Sequence, residues 1–266
     1  MIEIKTLEVR GFKPAIIGMR NPMNSWDKSD SGYCRDFIRD PLSGEVGCNH
    51  KCPKWPDMNY CGYSEYMQEH PEYDGFMIGP NDHDLMMKLR NAGTDHRKFM
   101  RMITVYADIT APLYWWKEYD TYKVGTVANS CSTMHKIHDK EFMYEDFSNE
   151  HLIRGYEHDC VINEDSYYES LNPHDVLIDT INMLNKAREL YLETKDKKYW
   201  WQMIQLLPSS YNQKRTIMLN YEVLANIYKS RKNHKLDEWR SLCDWIETLP
   251  YGELITGEDN GDTVQG

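Results

Sequence analysis

The sequence is short of several features, and each shortage narrows what the chain does. No run among its 266 residues is long and apolar enough to cross a bilayer as a helix. Residues 1–10 alternate charged and apolar side chains and hold nothing like the apolar centre of a secretory signal, so a cytoplasmic protein is expected. Positive charge is scarce: 31 Lys and Arg stand against 42 Asp and Glu, giving a net charge of −11 and a pI of about 5.4. That balance argues against a nucleic-acid backbone or an anionic membrane surface as the main partner. A free nucleotide remains compatible with it, because a local positive pocket can sit in an acidic protein. There is no tight C-x2-C pair among the seven cysteines and no internal repeat. An odd cysteine count without a secretory signal points to reduced thiols. Phenylalanine is rare, at 6 residues, while tyrosine (19), tryptophan (8) and methionine (15) are plentiful. Large side chains in that number suit a core and an oligomer interface. The length allows one large domain, or one domain with an insertion.

Along the chain, residues 3–12 alternate well enough for a strand, and 14–19 read as a second, short one. Residues 20–31 carry loop chemistry, either a solvated connection or a ligand-contacting loop. Asn81 or Asp82 is expected to cap a helix with Leu85, Met86 and Leu89 on its buried side, ended by Gly93. Thr94, Asp95, His96 and Arg97 begin another. Residues 99–106 read as a strand and 108–122 as a helix with Pro112 in its first turn. Residues 145–154 form at most a short helix. The clearest helix opens with Asn172 as cap and Pro173 at its first position, with Val176, Leu177, Ile181, Leu184, Ala187 and Tyr191 on one face. A helix over 199–207 stops at Pro208, a strand spans 214–219, Asn220 caps a helix running to about Lys232, and a last helix covers 236–249. From Pro250 the chain reads as a tail, with 257–266 acidic and Gly-rich.

Residues 34–73 read as an insertion. They hold Cys34, Cys48, His50, Cys52 and Cys61. Thiolates and imidazole at close spacing are zinc-ligand chemistry, so a structural zinc held by Cys34, Cys48, Cys52 and Cys61 is one reading. A loop with incidental reduced thiols is the other.

The least ordinary stretch runs from Trp115 to Met134, W-W-K-E-Y-D-T-Y-K-V-G-T-V-A-N-S-C-S-T-M. Two adjacent tryptophans lead into a charged run that breaks at Gly125, followed by Asn129, Ser130, Cys131, Ser132 and Thr133. Short hydroxyl and amide side chains let backbone N–H groups approach an anion or a flat ring. The same cluster also fits a polar junction with a local cap.

Two stretches together resemble the flavin-dependent thymidylate synthases, whose signature is R-H-R-x-x-S-x-N-E-x-S-x-R with a glutamine three residues upstream. Glu118 stands at the glutamine, Thr121, Tyr122 and Lys123 at R-H-R, and Asn129 to Met134 at N-E-x-S-x-R, with one residue inserted between the halves. Further on, Leu207 and Pro208, a strand, and then N-Y-E-V-L-A-N-I-Y-K-S-R follow the family's second motif. Asn220, Asn226 and Arg231 fall at the spacing of two flavin-facing asparagines and a pyrimidine-facing arginine. His96 and Phe99 resemble the family's upstream histidine and phenylalanine element, and Asp237, Glu238 and Trp239 stand where its final helix begins. The resemblance covers roughly residues 94–247.

The resemblance implies an α+β fold of the thymidylate-synthase-complementing type, a mixed sheet flanked by long helices. It implies a single domain over 1–256, interrupted by the cysteine insertion and followed by a flexible tail. It implies FAD, with His96, Lys123, Asn129, Asn220 and Asn226 on the flavin side, and a pyrimidine nucleotide held by Ser132 and Arg231. In such a site Arg231 polarises the pyrimidine edge and makes C5 more nucleophilic. A folate one-carbon donor and a homotetramer with sites between subunits are implied as well. Trp115, Trp116 and Tyr122 either stack on flat rings or pack in the core. The departures fall on the phosphate side: Thr121, Tyr122, Ser130, Met134 and Ile204 replace charged family residues, and Lys123 keeps a charge without the planar fork. Each lost cationic contact removes roughly 1.5–3 kcal/mol. Lys117, Lys123 and Arg215 are the candidates to replace them. A flavin enzyme modifying C5 of a pyrimidine deoxynucleotide is the first expectation. A nucleotide-binding or sequestering protein on the same fold is the alternative.

Overall fold

The computed structural model describes residues 2–33, 73, 75–154 and 172–257, together with the backbone of two short strands at Phe37–Arg39 and Val46–Cys48. The proposed zinc ligands Cys34, Cys52 and Cys61, the side chain of Cys48, and the tail from residue 258 lie outside the described residues.

Strand β1 (Glu3–Arg10) is followed by α1 (Phe12–Arg20). Short strands β2 (Gly32–Tyr33), β3 (Phe37–Arg39), β4 (Val46–Cys48) and β5 (Phe76–Met77) lead to α2 (Pro80–Asn91). A 3-10 turn at Arg97–Met102 precedes β6 (Thr104–Pro112) and α3 (Leu113–Tyr119). Then come β7 (Val127–Ser130), α4 (Thr133–Lys136), α5 (Pro173–Thr194), α6 (Lys197–Leu206), β8 (Asn212–Asn220), α7 (Tyr221–Arg231), α8 (Asp237–Glu247) and α9 (Glu253–Thr256). One sheet has the order β1-β6-β8-β7; β2 pairs antiparallel with β5, and β3 with β4. The architecture is α+β, as the sequence implied.

By contacts the chain divides into two compact units. The larger comprises residues 4–108, 122–128 and 216–266. In it β1 stops at Gly11, whose φ of +103° and whose closeness to the Met102 carbonyl oxygen leave no room for a side chain. The chain then turns into α1, which buries Phe12, Ala15, Ile16, Met19 and Arg20 at helical spacing. The short strand expected over residues 14–19 is therefore a helix. Pro14 is tolerated in its first turn because N–H groups there have no helical partner. Helix α2 begins earlier than expected, at Pro80, and its first N–H groups are met by Asp30, which accepts from Asn81 N (2.9 Å) and Asp82 N (3.1 Å). Met86 is fully buried there, whereas Leu85 and Leu89 are half-buried. Helix α8 turns Trp239, Leu242, Cys243 and Ile246 inward. The segment from Pro250 is no tail up to Gly257: Leu254 and Ile255 are fully buried, and Tyr251 Oη accepts from Ile78 N at 2.9 Å.

The smaller unit comprises residues 1–3, 109–121 and 129–215. Helix α5 keeps the expected cap: Asn172 Oδ1 accepts from Asp175 N at 3.0 Å. Leu177, Ile181, Leu184 and Ala187 face inward, but Val176, expected with them, is exposed. They form a cluster with Ile137, Phe142, Phe147 and Met203. Asn185 fastens the irregular segment before it, accepting from Phe142 N (2.8 Å) and donating to Phe142 O (2.9 Å). Residues 144–146 make only a 3-10 turn in the stretch where a short helix was allowed.

The strand expected over residues 99–106 and the helix over 108–122 are both displaced. Val105, Ala107, Ile109 and Ala111 are all fully buried, a period of two that extends β6 to Pro112. Pro112 then sits at the cap position of α3.

Candidate functional site

In the larger unit, β8 runs directly into α7 at Asn220. Its Oδ1 accepts from Val223 N at 3.0 Å, satisfying one orphan donor of the helix start. Asn220 is buried, and a side chain at Gly125 (φ +75°) would come within 2.9 Å of its Nδ2. The loop carrying Tyr122 and Lys123 therefore reaches Asn220 only because residue 125 is glycine. On α7 itself, Asn226 is exposed and its Oδ1 accepts from Arg97 NH2 at 3.0 Å. Arg97 also donates to the buried Glu222 Oε1 at 3.1 Å. Both asparagines thus commit the carbonyl oxygen of the amide within the protein. His96 is exposed at the start of the 3-10 turn, and Lys123 is exposed in its loop.

At the C-terminal end of α7, Arg231 is half-buried. Its Nε donates to Tyr122 Oη at 3.0 Å, and its NH1 lies 3.0 Å from His234 Nε2. The guanidinium lies 4.4 Å from the ring centroid of Trp239, which is fully buried. Trp239 and His234 were not singled out as contacts of Arg231 from the sequence; the spacing of His234, just past the helix end, is the only local signal.

The smaller unit holds Asn129 and Ser132. Strand β7 is exposed along its length, and Asn129 with it. Ser132 Oγ accepts from His135 N at 3.0 Å and caps α4, so the small polar cluster is a capped junction. Cys131 is anchored through its backbone, N to Lys214 O and O from Gln213 Nε2, both at 2.9 Å. The junction also borders an open cleft of about 680 Å³, with Lys136, Lys140, Tyr211 and Lys214 among its walls. Lys140 pairs with Asp146 at 2.5 Å, and Lys136 with Asp139 at 2.9 Å.

Trp115 and Trp116 are core residues, both fully buried; Trp116 Nε1 donates to Gln213 O at 2.8 Å. Trp115 stacks on Tyr119 and Trp116 meets it edge-on, and burial pushes the Tyr119 phenol up. Arg215 is engaged by three groups: it lies 4.3 Å over the Trp116 ring, and it donates to Asp120 Oδ1 (2.8 Å) and Gln213 Oε1 (3.0 Å). Ile204, at the place of a phosphate-binding arginine in the resemblance, packs against the apolar cluster of this unit. Among the described residues no three His, Cys, Asp or Glu side chains gather to hold a metal, and no helix is long and apolar enough to cross a membrane.

The fold is that of the flavin-dependent thymidylate synthases. Two structures of thymidylate synthase X (ThyX) from Helicobacter pylori, each with FAD and dUMP, match at TM-scores of 0.56 and 0.57 and identities of 14% and 15%, covering 97% of this chain and 98% of the other. The UMP/dUMP methylase PolB from Streptomyces cacaoi, bound with 5-Br dUMP, matches at a TM-score of 0.50 and 14% identity, covering 97% of this chain and 95% of the other. No protein-family model matches the sequence, and no curated protein does. At these identities the likeness is one of fold, and the ligands are those of the neighbours.

Proposed function

We propose that the chain is a divergent flavin-dependent thymidylate synthase-like enzyme that modifies C5 of a pyrimidine deoxynucleotide, with reduced FAD and a folate one-carbon donor, as a homotetramer. The observation that supports it most is the setting of Arg231, a half-buried guanidinium fixed by Tyr122 and stacked on Trp239 at the sequence position of the pyrimidine-facing arginine. A guanidinium has only N–H groups to offer and suits the carbonyl edge of a uracil ring. The residues present fit a flavin: with Oδ1 engaged, Asn220 and Asn226 have amide N–H groups to offer its ring carbonyls. His96, Lys123 and Asn129 are further flavin-side residues, and Ser132 a further nucleotide-side residue, by the sequence resemblance alone. Bound flavin would supply the reducing equivalents. The protein's part is to hold the two rings and to polarise the pyrimidine.

A second reading, a nucleotide-binding or sequestering protein, is favoured by one observation. The phosphate side is rebuilt, with Ile204 packed among apolar residues and Arg215 engaged by Asp120, Gln213 and Trp116. The first test is the absorbance spectrum of freshly purified protein, with any flavin released and identified, followed by titration with pyrimidine nucleotides. Stoichiometric FAD and micromolar uridylate binding are expected. Nucleotide binding without flavin favours the second reading, and protein that takes neither ligand sinks both.

A further inference from the structure

Arg231 ends α7, where a long, flexible side chain would ordinarily sample many rotamers. Here its remaining freedoms are removed by different neighbours. Trp239 sets the plane: its ring is fully buried, so the surface on which the guanidinium rests does not swing away. Tyr122 sets the rotation within that plane, because its hydroxyl accepts from Nε at 3.0 Å, and Nε marks one edge of the fork. The Tyr122 ring is itself steadied edge-on against Trp239, with centroids 5.9 Å apart at 65°. His234 Nε2 lies 3.0 Å from NH1. In-plane rotation decides which N–H pair a flat acceptor edge would meet.

We propose that Tyr122 is a positioning residue for Arg231, fixing the orientation in which the guanidinium meets the pyrimidine, and is not itself a stacking surface for a ligand ring. The inference rests on the reading of Arg231 given above, but its geometry is testable without any ligand. Tyr122 is half-buried and Tyr122→Phe removes only the hydroxyl, so the fold should survive, as the melting temperature will verify.

In ligand-free protein, reaction of Arg231 with a dicarbonyl reagent such as phenylglyoxal, mapped by mass spectrometry, should rise several-fold in Tyr122→Phe. An unchanged rate overturns the proposal, whatever the protein binds. In the nucleotide titration, Tyr122→Phe should bind uridylate about tenfold more weakly at unchanged flavin content, because the variant must order the guanidinium at the moment of binding. A double-mutant cycle with Arg231→Lys separates positioning from a structural role. If Tyr122 acts through Arg231, the tenfold loss disappears in the Arg231→Lys background; if the two losses multiply, the proposal is wrong. Wild-type protein that binds no pyrimidine nucleotide counts against the proposed function, and the reagent experiment still judges Tyr122.

Discussion

At the scale of single residues, the least exposed charges among the described residues of the larger unit are the pair Arg20 and Asp82, at 4% and 0% exposure. Asp82 accepts from Arg20 Nε, Ser29 Oγ and Ser31 Oγ at 2.6 Å each, and from Asp30 N at 3.2 Å. Arg20 in turn donates to the carbonyls of Ser25 (3.2 Å) and Lys28 (3.1 Å). The loop over residues 20–31 is thus wound around two buried charges, and neither of the readings its composition allowed describes it. Nothing local announces this: the partners are 62 positions apart, and Asp82 reads as a helix cap. Burial alone would raise the Asp82 carboxyl, but hydrogen bonds from Ser29, Ser31 and Arg20, with the Arg20 charge, outweigh it and hold the group below its ordinary value. Removing the charge by Asp82→Asn leaves a buried guanidinium uncompensated. We expect a loss of about 3–5 kcal/mol in chemical denaturation. A loss below about 1 kcal/mol would mean that water reaches Arg20 in the variant.

At the scale of elements, the helices that announce themselves are those whose ends carry their own chemistry. Asn172 before Pro173, and Asn220 before an apolar face, were legible because cap, first turn and period agree within a few residues. Helix α1 was not. Its buried set has helical spacing, yet the β-branched Ile16 and Ile17 suggest a strand by type and Pro14 argues against a helix interior, and the break at Gly11 depends on a carbonyl of Met102 far along the chain. The bounds of strand β6 were misplaced for the opposite reason: Ala107, Asp108 and Ala111 are poor strand formers, and burial decides what propensity does not. The cap of α7 also complicates the candidate site, since Asn220 serves the helix and is proposed to serve the flavin. Two substitutions separate these duties. Asn220→Asp retains an acceptor at a helix start that favours negative charge, so stability should hold, but it loses the amide donor and flavin content should fall. Asn220→Ala should lose flavin and also about 0.5–2 kcal/mol of stability. Equal flavin content in wild type and Asn220→Asp would remove Asn220 from the flavin side.

At the scale of the whole molecule, the sequence motifs pointed to the fold because helix and strand order survive at 14–15% identity to the matched ThyX structures. The candidate site was legible only as positions, because the side chains that orient Arg231 come from separate segments and no motif joins them. The same distribution of buried ionisable groups sets how stability depends on pH. Asp82 has its carboxyl lowered in the fold, so its contribution is present above the unfolded value, about pH 3.9, and is lost as the pH falls below it. On the alkaline side, Cys243 in α8 is buried and its thiol is pushed up to about 11 by that burial, with Asp244 and Glu247 adding to it. An unfolded thiol ionises near pH 8.5, so across this window the unfolded chain binds fewer protons than the folded one. Stability must then fall as pH rises from about 9 toward 11, and the buried phenol of Tyr119 acts in the same direction. We expect a stability plateau between these limits, followed by chemical denaturation at successively higher pH. Alkylation gives the matching kinetic measurement: Cys131 is exposed and should react in the native state, whereas Cys243 should react only as fast as the larger unit opens. If Cys243 is modified as quickly as Cys131 at pH 8, the thiol is not held in the interior, and the alkaline limb must come from other groups.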